Sequence, residues 1–210
     1  QRPAENLERA LRYFDSRKVD AVLIAGDLVV WARHKEFKLM AETWFKVFPE
    51  DCRSDGVRIE RLFVTGNHDV DAFVSPHAKH KTIEEAREQS FYFNREKFWR
   101  EFFHEDYKPV FVKTVKGYTF VLYHFNRHTP GNGNDVPGLE EAFAKLKVDP
   151  AKPFFFSQHR AIRGTHYLSS GDNGDTTRLF SKYPNLVAFT GHCHISAAEE
   201  RSVWQGAFTS

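Results

Sequence analysis

The sequence predicts an α/β fold, and three observations carry that reading. An amphipathic helical stretch, Pro3 to Lys18, runs into Ala21-Val22-Leu23-Ile24-Ala25, a strand apolar on both faces of the kind buried between layers. Four short apolar runs end in polar residues: Ala25-Gly26-Asp27; Gly66-Asn67-His68-Asp69 after Leu62 to Thr65; Ser157-Gln158-His159 after Phe154 to Phe156; and Gly191-His192-Cys193-His194 after Leu186 to Thr190. Strands that close in this way deliver polar residues to the carboxyl edge of a sheet, where α/β proteins keep their sites. Finally, Val110 to Val115 and Tyr118 to Tyr123 flank Lys116-Gly117, a tight-turn dipeptide, so a β-hairpin is expected and the sheet becomes mixed.

The remaining elements follow from periodicity and punctuation. Leu7, Ala10, Leu11 and Phe14 share one face of the first helix, which is expected to lie against a sheet. A second helix runs from about His34 to Phe48 and is closed by Pro49-Glu50-Asp51 and Ser54-Asp55-Gly56. Residues 71–81 read as a polar loop, and Thr82 to His104 as one long helix that buries Phe91, Phe98, Trp99 and Phe102. That aromatic stripe reads as core rather than as a platform for nucleobases. A loop rich in Gly and Asn, 128–138, precedes a helix from Leu139 to Leu146. A polar loop expected to be mobile, 164–175, precedes a helix from Thr176 to Lys182, and Val203 to Ser210 closes as a strand.

With 210 residues, 41% hydrophobic and 15% aromatic, the chain can bury one substantial core, and a single domain over 1–210 is expected. Thirty basic and twenty-eight acidic residues are interleaved to a net charge of +2, so no block of charge points to nucleic acid or a membrane surface. No apolar run approaches the ~20 residues of a membrane span. Two cysteines, Cys52 and Cys193, give neither a disulfide framework nor a CxxC pair, and they name no compartment. Both ends read as cut: the chain enters a helix almost at Gln1 and stops at Ser210 within a strand pattern, so a lost targeting segment belongs to the expectation.

Chemistry concentrates at the four strand ends. An Asp, an Asn and three His from separate loops form a mixed oxygen and nitrogen ligand set, which suits Mn²⁺, Fe or Zn²⁺ better than Ca²⁺. In an extended segment the spacing of His192 and His194 puts both imidazoles on one face with Cys193 turned away, so the pair can serve one ion or two. A carboxylate such as Asp27 can bridge two cations, and Asn67 adds a neutral oxygen. Two cations ~3.5 to 4 Å apart clamp a phosphate ester and generate hydroxide from a bridging water at neutral pH. His68, beside the ligand Asn67, is placed to protonate the leaving oxygen or stabilise transition-state charge.

GDLV, GNHD, QH and GHCH, in this order and spacing, resemble the calcineurin-like metallophosphoesterase superfamily from Ala21 onward. The resemblance implies two mixed β-sheets packed face to face with helices outside. It implies that Asp27 bridges two metals, that Asn67, His159 and His192 complete one metal site, and that His194 belongs to the other. It also implies His68 as the acid or phosphate contact. The family opens with an Asp-x-His strand end, and the spacing puts that motif just before Gln1. Either the chain is a clipped segment or its lineage lacks half the metal site, and a single or weak second metal is expected for residues 1–210. Val30 in GDLVVWAR stands where protein Ser/Thr phosphatases carry the aspartate of GDxVDRG, which points to phosphodiesters or small phosphorylated molecules.

Other polar residues are weighed beside these. His124, His128 and His166 could contact substrate, although a lone His is more often a satisfied polar group. Arg160 follows a ligand and could neutralise phosphate; a surface arginine is the alternative. Two further functions compete with a two-metal phosphodiesterase: a non-catalytic binding module on the same fold, and a phosphomonoesterase or nucleotidase.

Overall fold

A computed structural model describes residues 2–70, 82–125, 136–166, 169, 174–196 and 198–210. The loop expected at 71–81, most of that at 128–138, half of that at 164–175, and His128 lie outside the described residues. The chain divides into two compact units, one of Gln1–Ile24, Leu28–Phe63 and His68–Tyr107 and one of Ala25–Asp27, Val64–Asn67 and Lys108–Ser210.

The first unit contains α1 (Arg2–Ser16), most of β1 (Ala21–Ala25), α2 (His34–Val47), a 3-10 turn at Pro49–Asp51 and β2 (Glu60–Val64), which pairs with β1. A four-residue helix, α3 (Asn67–Val70), is followed by α4 (Ile83–Gln89) and α5 (Phe91–Phe103). Leu11 is buried and Leu7 and Phe14 are half-buried, but Ala10 is exposed. α1 also packs along α2, with Lys46 Nζ 2.7 Å from Glu8 Oε2. β1 is also less enclosed than its apolar run suggests, since only Val22 is fully buried.

Aromatic packing holds this unit together. Phe37 stacks on Phe91 at 4.4 Å, and Trp44 meets Phe63 edge-on at 5.1 Å. Two polar side chains in this core find partners: Trp44 Nε1–H donates to Asp51 at 2.7 Å, and Arg61 Nη2–H donates to the Phe103 carbonyl at 2.7 Å. The aromatic stripe is core, with Phe91, Phe98, Trp99 and Phe102 all buried. It is not carried on one long helix, however. Ser90 is extended (φ −93°, ψ 133°), bridges Arg33 and caps α5 by accepting the Tyr92 N–H at 3.2 Å. A serine hydroxyl that competes for backbone donors breaks the helix there.

The second unit is built on a four-stranded mixed sheet, β3 (Val110–Val115), β4 (Tyr118–Tyr123), β5 (Phe154–Ser157) and β6 (Leu186–Phe189), in that order. β3 and β4 are antiparallel; β4, β5 and β6 run parallel. Lys116 and Gly117 both take positive φ, 50° and 81°, as a tight hairpin turn requires. α6 (Val136–Lys145) and α7 (Asp175–Phe180) cover the sheet through Leu139, Phe143, Leu179 and Phe180, which cluster with Phe154 and Phe156. Two sheets with flanking helices therefore make up the α/β fold.

The closing segment is not the strand expected from its pattern. Trp204 N–H donates to Ser210 O at 2.7 Å and Ser210 N–H to Trp204 O at 2.9 Å, so the chain folds back on itself around Gly206. Thr209 makes only isolated bridges, to Val187 and Gln205.

Candidate metal centre

His159 stands at the middle of the site. It follows β5 by two residues, is 2% exposed, and has its Nδ1 2.7 Å from the carbonyl oxygen of Ala25, where β1 ends. A carbonyl can only accept, so the imidazole proton sits on Nδ1 and the Nε2 lone pair faces the other way. Around that Nε2 lie Asn67 Oδ1 at 3.0 Å, Asp27 Oδ2 at 3.2 Å and His192 Nδ1 at 3.2 Å. Ligand atoms from Asp27, His159 and His192 all lie within 4.8 Å of one another.

Such crowding of lone pairs suits a cation. With ligand bonds of about 2.1 Å, neighbouring donors around one ion stand about 3.0 Å apart at octahedral angles and about 3.4 Å apart at tetrahedral ones. The three spacings at His159 Nε2 fall in this range, and a carboxylate, an amide oxygen and two imidazoles are donors that Mn²⁺, Fe and Zn²⁺ accept.

Backbone geometry makes the approach possible. Gly26 has φ 86°, and a Cβ there would meet His159 Nδ1 at 2.5 Å; a Cβ on Gly66 would sit 2.8 Å from His159 Cε1. Glycine admits both the left-handed conformation and the close approach. Asp27 itself takes φ 54°, which Asp tolerates better than most residues.

At the fourth strand end the structure departs from expectation. The segment after β6 is not extended: His192 (φ 69°) and His194 (φ 52°) are both left-handed. Cys193 N–H donates to Gly191 O at 2.8 Å, closing a γ-turn about His192, a rare and strained conformation of the sort kept at functional sites. The two imidazoles therefore do not share a strand face. His192 reaches the cluster around His159, and His194 is not part of it. Both line a cavity of about 270 Å³ with Thr165, His166 and Ile195.

Electrostatics favour a neutral imidazole at His192. Desolvation of the ring first, then the neighbouring His159 and Arg160, hold its pKa below the ordinary histidine value, against the pull of Asp27. The side chain as a whole remains exposed, so the desolvation belongs to the ring edge that faces His159. The Arg160 guanidinium lies 5.2 Å over the Phe125 ring, and its carbonyl accepts from Gln158 Nε2 at 2.6 Å.

His68, next along the chain from Asn67, has Nδ1 3.0 Å from the carbonyl of Val30. The sequence reading missed the role of Asp69. Its buried carboxylate accepts the backbone N–H groups of Leu28 (3.1 Å) and Val29 (2.8 Å), the two residues after Asp27. The signal is the last residue of the GNHD run, a carboxylate two residues beyond the ligand candidate Asn67.

Among the described residues, no helix is long and apolar enough to cross a membrane. Over 143 residues the chain is 29% identical to the UDP-2,3-diacylglucosamine pyrophosphatase LpxG of Chlamydia muridarum (strain MoPn / Nigg). That alignment covers 61% of this chain and 42% of the relative, so the chain spans less than half the length of the curated protein it matches. Residues 2–196 match the model of the calcineurin-like phosphoesterases. A match over nearly the whole chain, on motifs that converge at one metal-ready cluster, makes this chain a member of the calcineurin-like phosphoesterase family, whose enzymes depend on metal ions.

Proposed function

We propose that the chain hydrolyses a phosphate ester, most readily a phosphodiester, at a centre for two divalent cations of the Mn, Fe or Zn class. The observation that carries this reading is the convergence of Asp27, Asn67 and His192 on His159 Nε2. Asp27 would be shared between the two cations, Asn67, His159 and His192 would hold one of them with it, and His194 would serve the other. Bound cations supply Lewis acidity to the phosphoryl group and acidify water.

The chain's own residues do the rest. Ala25 holds the His159 ring so that Nε2 is always the ligating atom. The Val30 carbonyl accepts the Nδ1 proton of His68, so that the doubly protonated ring would hand its second proton, on Nε2, to the departing oxygen and return to the Nδ1–H form. Arg160 and the Asn67 amide contact the phosphoryl oxygens. A disubstituted phosphate is favoured because Val30 replaces the protein-phosphatase aspartate. The relative's printed name, a pyrophosphatase, supports hydrolysis at phosphorus.

The position of His194 outside the cluster favours a second reading, a binding module whose second metal site is incomplete. Assaying the purified chain with Mn²⁺ against bis-p-nitrophenyl phosphate and p-nitrophenyl phosphate separates the readings. Preference for the diester supports the proposal, preference for the monoester replaces it with a phosphomonoesterase, and no turnover with intact Mn²⁺ binding supports the module. His68→Ala should lower kcat by roughly 10² while metal content stays unchanged.

A further inference from the structure

We propose that His124 is a positioning residue for the metal centre: through its Nδ1 it holds the backbone of Thr65 and so sets Asn67, two residues further on. The inference rests on the reading of Asn67 as a ligand.

β2 ends at Val64, and Thr65 is 0% exposed, so its backbone groups need partners from the protein. Both come from the chain just beyond β4. Thr65 N–H donates to His124 Nδ1 at 3.0 Å, and Phe125 N–H donates to Thr65 O at 3.1 Å. The donor is a backbone amide, so His124 Nδ1 is a lone pair and the ring proton is on Nε2. His124 is 1% exposed, its own N–H donates to the Pro109 carbonyl at 2.9 Å, and its ring stacks on Phe111 at 5.1 Å.

The sheet explains why this link matters to the site. β4 and β5 are parallel with Leu122 opposite Ser157, so His124 and His159 each lie two residues beyond one register pair. One strand end carries His159 itself. Its neighbour grips the segment whose Asn67 Oδ1 stands 3.0 Å from His159 Nε2. A side-chain acceptor in place of a ladder carbonyl ties the Asn67 segment to the strand pair that presents His159.

Three variants of the 210-residue chain test this. His124→Phe keeps a ring on Phe111 and removes the acceptor; His124→Asn restores an acceptor near the Nδ1 position; Asn67→Ala removes the ligand. The first readout is the Thr65 amide in hydrogen exchange without metal, expected to exchange faster in His124→Phe and to regain protection in His124→Asn. The second is Mn²⁺ affinity by calorimetry, expected to fall roughly tenfold or more in His124→Phe and to recover in His124→Asn. Unchanged Thr65 exchange in His124→Phe overturns the tether. Faster exchange with parental Mn²⁺ affinity, while Asn67→Ala loses metal, overturns the positioning role. If Asn67→Ala keeps its Mn²⁺, the ligand reading fails instead, and the positioning role falls with it even where the exchange result stands. Should His124→Phe not fold, His124→Gln replaces it with the acceptor displaced, and affinity equal to that of His124→Asn overturns the proposal.

Discussion

Asp69 Oδ1 accepts the backbone N–H of Val29 at 2.8 Å, and its other carboxylate oxygen accepts that of Leu28 at 3.1 Å. These are charge-assisted bonds to a carboxylate with no exposed surface, and they fix the backbone that leaves Asp27. Asp69→Ala leaves two amides without their acceptor. It should lower stability by about 2 kcal/mol in urea unfolding and weaken Mn²⁺ binding roughly tenfold by calorimetry. Parental affinity in a variant that has lost this stability would confine Asp69 to a folding role.

Gly66→Ala tests the close approach at the centre. A Cβ there would stand 2.5 Å from the Asp27 backbone N and 2.8 Å from His159 Cε1, and it would also meet Asp27 Oδ1. None of these neighbours is the far end of a flexible chain, so Asp27 or His159 must move. We expect Mn²⁺ affinity to fall at least tenfold, with a stability loss of about 1–3 kcal/mol from overpacking. An alanine variant with parental Mn²⁺ affinity would show that the cluster tolerates displacement and is not a tight ligand set.

These two positions mark the boundary of what the sequence makes legible. The four strand ends were readable because each couples an apolar run to polar residues, through a glycine in three of the four, a pattern with few other physical explanations. The hairpin was readable from Lys116-Gly117. The break at Ser90 was not, because helical periodicity continues across it and the extended backbone there also bridges Arg33, far away in sequence. The left-handed turn at His192 was equally hidden: a strand pattern followed by Gly-His-Cys-His reads as extended until the Gly191–Cys193 hydrogen bond is seen. Asp69 and His124 act on backbone amides 40 and 59 residues distant in the chain, and a sequence names no partner at that range.

The acid side of metal binding should depend on Arg160. Protons compete with metal for imidazole nitrogen, so affinity falls once pH drops below the pKa of a ligating histidine. Desolvation, His159 and Arg160, in that order, hold the pKa of His192 down, so His192 stays neutral to a lower pH than an ordinary histidine, whose pKa is about 6.5. Arg160→Ala removes one of the four depressing influences, of which His194 is the smallest. The pKa then rises, and the pH at which Mn²⁺ affinity begins to fall should move upward, measured by calorimetry from pH 8 to pH 5. An unchanged or lowered acid limb would refute the electrostatic coupling between Arg160 and His192.

Metal stoichiometry separates the two sites. Asp27, Asn67, His159 and His192 place four donors around one point, whereas His194 lies outside that cluster and shares only the Asp27 carboxylate with it in the proposed assignment. Two protein ligands hold a divalent ion poorly, because water must complete its shell and the second charge stands beside the first with little to offset it. Residues 1–210 should therefore bind close to one Mn²⁺ per chain with measurable affinity. His159→Ala should abolish that event, since it removes the nitrogen on which the other three donors converge. His192→Ala should weaken it roughly 10 to 100-fold, and His194→Ala should leave it within about threefold of the parent. Calorimetric titration of the three variants at pH 7.5 reads all of these together. Two tight sites in the parent chain, or loss of the tight site in His194→Ala, would mean that the donors divide between the cations in another way, and the assignment of His192 and His194 would have to be exchanged.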